Sequence, residues 1–225
     1  MTRAVIFDVD GTLVDSVDLH ARAWAEALHH FGYDVSTAQA RAQIGKGGDQ
    51  LMPVFVPESD FARIGKELET WRGDHFRAEY LPKVRPFPDV RALFDALIAR
   101  GVRLALGTSA KPEELEHLKE IAGIADLDLA VATSEEVERS KPHPDIFLAT
   151  LEKLGTPPGE TVAVGDSPYD AEAAVKAGIA PVGVLCGGFP EADLRRAGCV
   201  AIYRDPADLL ARLDDSPLVP GWRRA

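Results

Sequence analysis

Cysteine is nearly absent, with Cys186 and Cys199 alone among 225 residues. Two are too few for a disulfide scaffold, so both are expected as free thiols in a reducing cytoplasm. A basic excess is missing too: 25 lysines and arginines stand against 36 acids, a formal net charge of −11. That balance sets aside nucleic acid and anionic membranes as main partners, and an anionic substrate would need a local cluster of positive charge. No apolar run approaches the length of a membrane span, and the amino terminus enters an apolar strand almost at once, without a basic-then-apolar signal region. Internal repeats and low-complexity tracts are lacking. What is there is an ordinary globular composition, 46% hydrophobic. The chain can bury a full core as one domain with a sizeable insertion or as two small domains.

The run Ala4-Val5-Ile6-Phe7 leads straight into Asp8-Val9-Asp10-Gly11-Thr12-Leu13. A short apolar run bounded by a turn signal fits a strand covered on both faces, at the centre of a parallel sheet. Residues two apart in a strand point the same way, so Asp8 and Asp10 both project from its carboxyl edge, where open α/β sheets hold ligands. Neighbouring carboxylates repel unless a cation or a shared proton intervenes, and a hard divalent ion such as Mg²⁺ answers that need. Gly11 permits a tight turn and the approach of backbone N–H groups to an anion. A β-turn capped by aspartates explains the same residues, so distant partners must decide.

Downstream, Asp15 or Ser16 can cap a helix carrying Leu19, Ala23, Trp24, Ala27, Leu28 and Phe31, which Gly32 stops. Further helical stretches are expected from about Thr37 and from Ser59 to Tyr80, joined by the loop Ile44 to Asp49. No strand candidate interrupts residues 16 to 82. From Val84 strands alternate with helices: strands over Val102–Gly107, Leu127–Thr133, Thr161–Val164, Pro181–Leu185 and Val200–Ile202, with a helix started by Pro88 after the first change of pattern. Alternation of this kind implies an α/β fold, a Rossmann-like doubly wound parallel sheet. Residues 1–14 and 84–225 then form the catalytic core, and 15–83 an inserted, small all-helical cap domain. The tail Pro217 to Ala225 is expected to be poorly ordered.

Three more strand ends carry polar groups on the same edge. Thr108 can donate its hydroxyl to a phosphoryl oxygen or cap a helix, with the Ser109 amide and Lys111 nearby. Lys141, in Ser140-Lys141-Pro142-His143-Pro144, is either a point charge held against phosphate or a solvated loop lysine. Asp166 ends the fourth strand and Asp170 follows one turn later, so both can face one metal, unless Asp170 only provides helix N-terminal charge.

Asp8 to Leu13, Thr108, Lys141-Pro142 and Gly165-Asp166 through Asp170 resemble, in that order, the four motifs of the haloacid dehalogenase-like superfamily. The resemblance is to its phosphatase branch, with a helical cap after the first strand. It implies that Asp8 attacks phosphorus to form an aspartyl-phosphate, and that Asp10 protonates the leaving alcohol and then activates water. It also implies Mg²⁺ on Asp8, the Asp10 backbone carbonyl and Asp166, with Asp170 orienting the site, and Lys141 and Thr108 neutralising the transferring oxygens. Asp10 speaks against a dehalogenase, since that branch lacks the second aspartate.

The implied substrate is a small phosphorylated metabolite, chosen by the cap. The Ile44 to Asp49 loop, with three glycines and Lys46, either reaches into the pocket or only links cap helices. His20 and Trp24 resemble a pattern of β-phosphoglucomutase-like members, which keeps a sugar-phosphate mutase in view. No arginine in the Ile44 to Asp49 loop can grip a second phosphate, which favours hydrolysis. A phospho-acceptor signalling module combines similar residues but needs neither cap nor Asp10. Monomer and homodimer are both compatible with the sequence.

Overall fold

The computed structural model describes residues 2–221. Strand β1 (Ala4–Phe7) is followed by the two-residue β2 (Val14–Asp15) and by helices α1 (Val17–His30), α2 (Thr37–Arg41), α3 (Gly48–Phe55) and α4 (Glu58–His75). A π-helical turn, Phe76–Tyr80, continues α4, and β3 (Arg85–Pro86) then pairs antiparallel with β2, Val14 opposite Pro86. The chain therefore leaves β1 and returns through one short ribbon, with the helices between.

The remainder alternates as expected: α5 (Val90–Ala99), β4 (Arg103–Gly107), α6 (Pro112–Ala122), β5 (Ala130–Ala132), α7 (Asp145–Leu154), β6 (Thr161–Gly165), α8 (Pro168–Lys176), β7 (Ala180–Val184), α9 (Glu191–Arg196), β8 (Ala201–Tyr203) and α10 (Pro206–Ala211). Six strands form one parallel sheet in the order β5-β4-β1-β6-β7-β8. β1 lies between β4 and β6, with Phe7 level with both Leu106 and Val164, so Asp8 leaves the sheet where the strand order reverses.

Alternation along β1 feeds two cores. Val5 and Phe7 pack with Leu93, Phe94 and Leu97 of α5, with the Phe7 and Phe94 rings 4.8 Å apart. Ala4 and Ile6 face the other way, toward Phe147 of α7 and Ala173 and Ala174 of α8. Small residues on α8 let that helix lie close to the sheet. A third cluster, including Val17, Ala21, Trp24, Leu28, Leu51 and Leu68, belongs to α1 through α4 alone.

Several local expectations are corrected. Pro88 does not start α5; Asp89, with φ of 60°, occupies the position before Val90. The glycine-rich loop is shorter than read, because Gly48 already opens α3, and α9 carries no strong periodic signal and was not foreseen. Ser16 precedes α1 without capping it, since its hydroxyl is committed elsewhere. In the tail, Leu218 and Val219 are buried in the core under α10, while residues 222–225 lie outside the described part. Both cysteines are free thiols. No helix among the described residues is long and apolar enough to cross a membrane.

Candidate active site

The carboxyl ends of β1, β4 and β6 meet the loop that precedes α7 in one buried cluster. Lys141 is 1% exposed, and its Nζ lies 2.6 Å from Asp8 Oδ1 and 2.7 Å from Asp170 Oδ1. The first contact is an aligned hydrogen bond. The second is an ion contact that leaves Asp170 Oδ1 without a well-directed donor. The capping role expected of Asp170 is realised on its other oxygen: Oδ2 accepts from the Ser167 amide and hydroxyl in a capping box that starts α8. Lys141 is no solvated loop lysine.

Oxygens of Asp8, Asp166 and Asp170 lie within 4.8 Å of one another. One ammonium cannot balance three carboxylates, and the electrostatics record the deficit. Burial pushes the Asp8 carboxyl up to about 7 against the pull of Lys141, with Asp170 and Asp10 adding to the rise. Burial, then Asp170 and Asp8, also push Asp166 well above the usual carboxylate range. Lys141 is held above its ordinary pKa because Asp170 and Asp8 outweigh the cost of its burial.

Asp166 is closely packed by backbone. Its Oδ1 accepts from Thr12 Oγ1 at 3.3 Å. A Cβ on Gly11 would come within 2.5 Å of Oδ2, and a Cβ on Gly187 would overlap the same oxygen, so only glycine is accommodated at either position. An all-oxygen donor set with excess negative charge fits a hard divalent cation. Gly11 itself has φ of +76°, a conformation few other residues adopt, and its amide donates to the Val14 carbonyl, so it serves the turn rather than an anion.

Asp10 points away from the three-carboxylate cluster. Its Oδ1 accepts from Ser16 Oγ at 2.5 Å and lies 3.0 Å from His20 Nε2. Burial would raise its pKa, but His20 and Ser16 outweigh burial and hold Asp10 below the usual range. His20 stacks on Phe76, with ring centroids 3.9 Å apart, and lies 3.7 Å from Glu114 Oε1.

Above these groups is a narrow cleft. Asp8, Asp10, Thr108, Ser109 and Glu114 line it from below, and His20, Trp24, Ile44, Lys46 and Arg72 from the helical block. Thr108 is no helix cap: its Oγ1 accepts from the Ala110 amide in a local turn, which leaves the hydroxyl proton for a ligand. Lys46 reaches the cleft, bound to Gln43 Oε1 at 2.6 Å and held 4.8 Å over the Tyr169 ring. Lys111 does not line this cleft; it sits to one side, 3.7 Å from Glu69. The two layers touch directly: the Ser140 amide donates to Asp49 Oδ2, Tyr169 Oη to the Ala42 carbonyl, and Arg41 to the Gly187 carbonyl.

Ser16 reads from sequence only as a helix cap, and Glu114, Gly187 and Arg72 are not singled out. Arg72 lies one residue after Trp71 in the helical pattern of α4 and could have been flagged as a cation breaking that pattern. Gly187 shows its role only when Asp166 is folded against it.

Residues 5–184 match the family described as haloacid dehalogenase-like hydrolase. A phosphoglycolate phosphatase of Rhodospirillum rubrum is 31% identical over 217 residues, which span 93% of this chain and 90% of that enzyme. The phosphoglycolate phosphatase of Escherichia coli K12 is 32% identical over 94% of this chain and 92% of its own. The crystal structure of a hydrolase from Pseudomonas syringae superposes with a TM-score of 0.89 at 28% identity, covering 95% of this chain and 98% of the other. The chain belongs to the haloacid dehalogenase-like hydrolase family. Within that family it is a phosphatase, a phosphoric monoester hydrolase.

Proposed function

We propose that the protein hydrolyses a small organic phosphomonoester, of the phosphoglycolate kind on which its relatives are named, through an aspartyl-phosphate on Asp8 and with Mg²⁺ bound. The observation that carries this is the Asp8–Lys141–Asp170 cluster beside Asp166, buried at the floor of a cleft that admits a phosphoryl group. Asp8, Asp166, Asp170 and the Asp10 carbonyl would hold the metal, which neutralises phosphoryl oxygens and offsets the carboxylate repulsion. Lys141 fixes one Asp8 oxygen, leaving the other to attack phosphorus as the ester P–O bond breaks. The electron pair departs on the ester oxygen, which takes a proton from Asp10.

Asp10 is ionised before substrate arrives, so the proton must reach it then. A phosphate dianion nearby raises its proton affinity, and His20 Nε2, 3.0 Å away, is placed to pass a proton on. Asp10, ionised again, accepts the proton of the water that attacks the phosphoryl group, and Asp8 is released. Thr108, the Ser109 amide and Lys141 donate to the transferring oxygens. Lys46 and His20 complete the cleft wall, and Lys111 at its margin adds positive potential. Residues 15–83 act as a cap over the core, swinging on the β2–β3 ribbon, and its closure excludes water. Phosphate release from a panel of phosphomonoesters, with Mg²⁺ or with EDTA and beside Asp8→Asn, tests this. Metal-dependent release abolished in the variant is expected; an active, well-folded Asp8→Asn protein would overturn the mechanism.

A further inference from the structure

Two basic side chains from the helical block reach the cleft, and they differ in what they already hold. Lys46 is hydrogen-bonded to Gln43 and lies over Tyr169. Arg72 rests its guanidinium 5.0 Å from the Trp24 ring, makes no ion pair within 4 Å among the described residues, and its buried Nε has no hydrogen-bond partner. Its neighbour one turn back, Glu69, is turned to Lys111 instead. A buried, charged donor without an acceptor is costly unless a ligand supplies one. The stacked, planar fork is preorganised for an anion with two oxygens.

We propose that Arg72 is the recognition residue for a carboxylate on the leaving group, so that the substrates are short phosphorylated hydroxy acids. The inference rests on the phosphatase reading above. With the phosphoryl group over Asp8 and Thr108, the leaving group must extend toward the helical block. Apart from Lys46 and Arg72, and His20, which is engaged with Asp10, that wall is Trp24, Ile44 and the glycines 45, 47 and 48. It offers little to the many hydroxyls of a sugar.

The test compares wild type, Arg72→Lys and Arg72→Met on 2-phosphoglycolate, on ethyl phosphate, where a methyl replaces the carboxylate, and on a short-chain bisphosphate. The readout is the ratio of kcat/KM for phosphoglycolate to that for ethyl phosphate. Loss of a charge-assisted hydrogen bond should lower this ratio about 10- to 150-fold in Arg72→Met. Arg72→Lys should fall between, because an ammonium keeps charge but not the fork. Inhibition of the wild type by glycolate, weakened in Arg72→Lys, is a second readout should Arg72→Met fail to fold. An unchanged ratio, with both rates falling together or neither, would overturn the proposal, as would a bisphosphate preferred over phosphoglycolate. If ethyl phosphate is still hydrolysed and Asp8→Asn is dead, the phosphatase reading survives that failure. If the folded wild type releases phosphate from none of the three, both fall.

Discussion

Replacing Lys141 by methionine keeps most of its volume and removes its charge from the centre of the acidic cluster. Asp8, Asp166 and Asp170 then face one another with oxygens no more than 4.8 Å apart and no internal cation. At that distance and an effective dielectric constant of about 20, each ionised pair repels by about 3 kcal/mol. Breaking a buried ion pair from one side typically costs about 3–5 kcal/mol. For a chain of this length about 3–5 kcal/mol lowers Tm by roughly 6–20 °C. Thermal unfolding in EDTA at pH 8, followed by circular dichroism, should show that loss. The loss should shrink at pH 5, where the carboxylates take up protons, and should shrink again at pH 8 on adding Mg²⁺. Activity should fall at least about 10²-fold even with the metal, because the phosphoryl oxygens lose a preorganised donor. A Lys141→Met protein that melts with wild type at pH 8 in EDTA would refute the claim that Lys141 neutralises this cluster.

The wild type carries its own pH signature. The Asp8 and Asp166 carboxyls are raised in the folded state, so the stability they contribute is full below about pH 4 and is lost as pH rises through their raised values, about 7 for Asp8. Metal-free protein should therefore melt higher at pH 6 than at pH 8, with saturating Mg²⁺ removing the difference; a higher Tm at pH 8 in EDTA would contradict it. Gly187→Ala places a methyl on Asp166 Oδ2 without a positive φ to strain the backbone. The Mg²⁺ concentration for half-maximal activity should rise about 10- to 100-fold, as for other groups that position metal ligands, with the far-ultraviolet spectrum unchanged. Ser16→Ala removes one of the hydrogen bonds that hold Asp10 below the usual range, so its pKa should move up and the acidic limb of the pH–rate profile should shift to higher pH. An unmoved limb would mean that Asp10 does not govern it.

The parts of the fold legible in sequence were those set by local pattern. All six strands of the parallel sheet fall on the short apolar runs, and the long helices α1 and α4 on their apolar spacing. The misplaced features depend on longer-range terms. Gly48 and Pro53 discourage a helix locally, yet α3 forms because Leu51 and Met52 are buried against α1 and α4. Leu218 and Val219 read as a loose tail until the core beneath α10 supplies a place to bury them.

The site divides along the same line. Carboxylates at strand ends could be located from the chain, because a strand fixes where its carboxyl edge lies. Their charge states could not, because they depend on contacts such as Lys141 with Asp8, 133 residues apart. Ser16 shows how far the consequence runs: by propensity it is a helix cap, but its hydroxyl goes to Asp10 and α1 begins with no side-chain cap. Forgoing that cap costs about 1 kcal/mol. A local loss kept in favour of a hydrogen bond to one carboxylate is the pattern expected where selection acts on chemistry rather than on stability. It supports the proposed role of Asp10 independently of any motif.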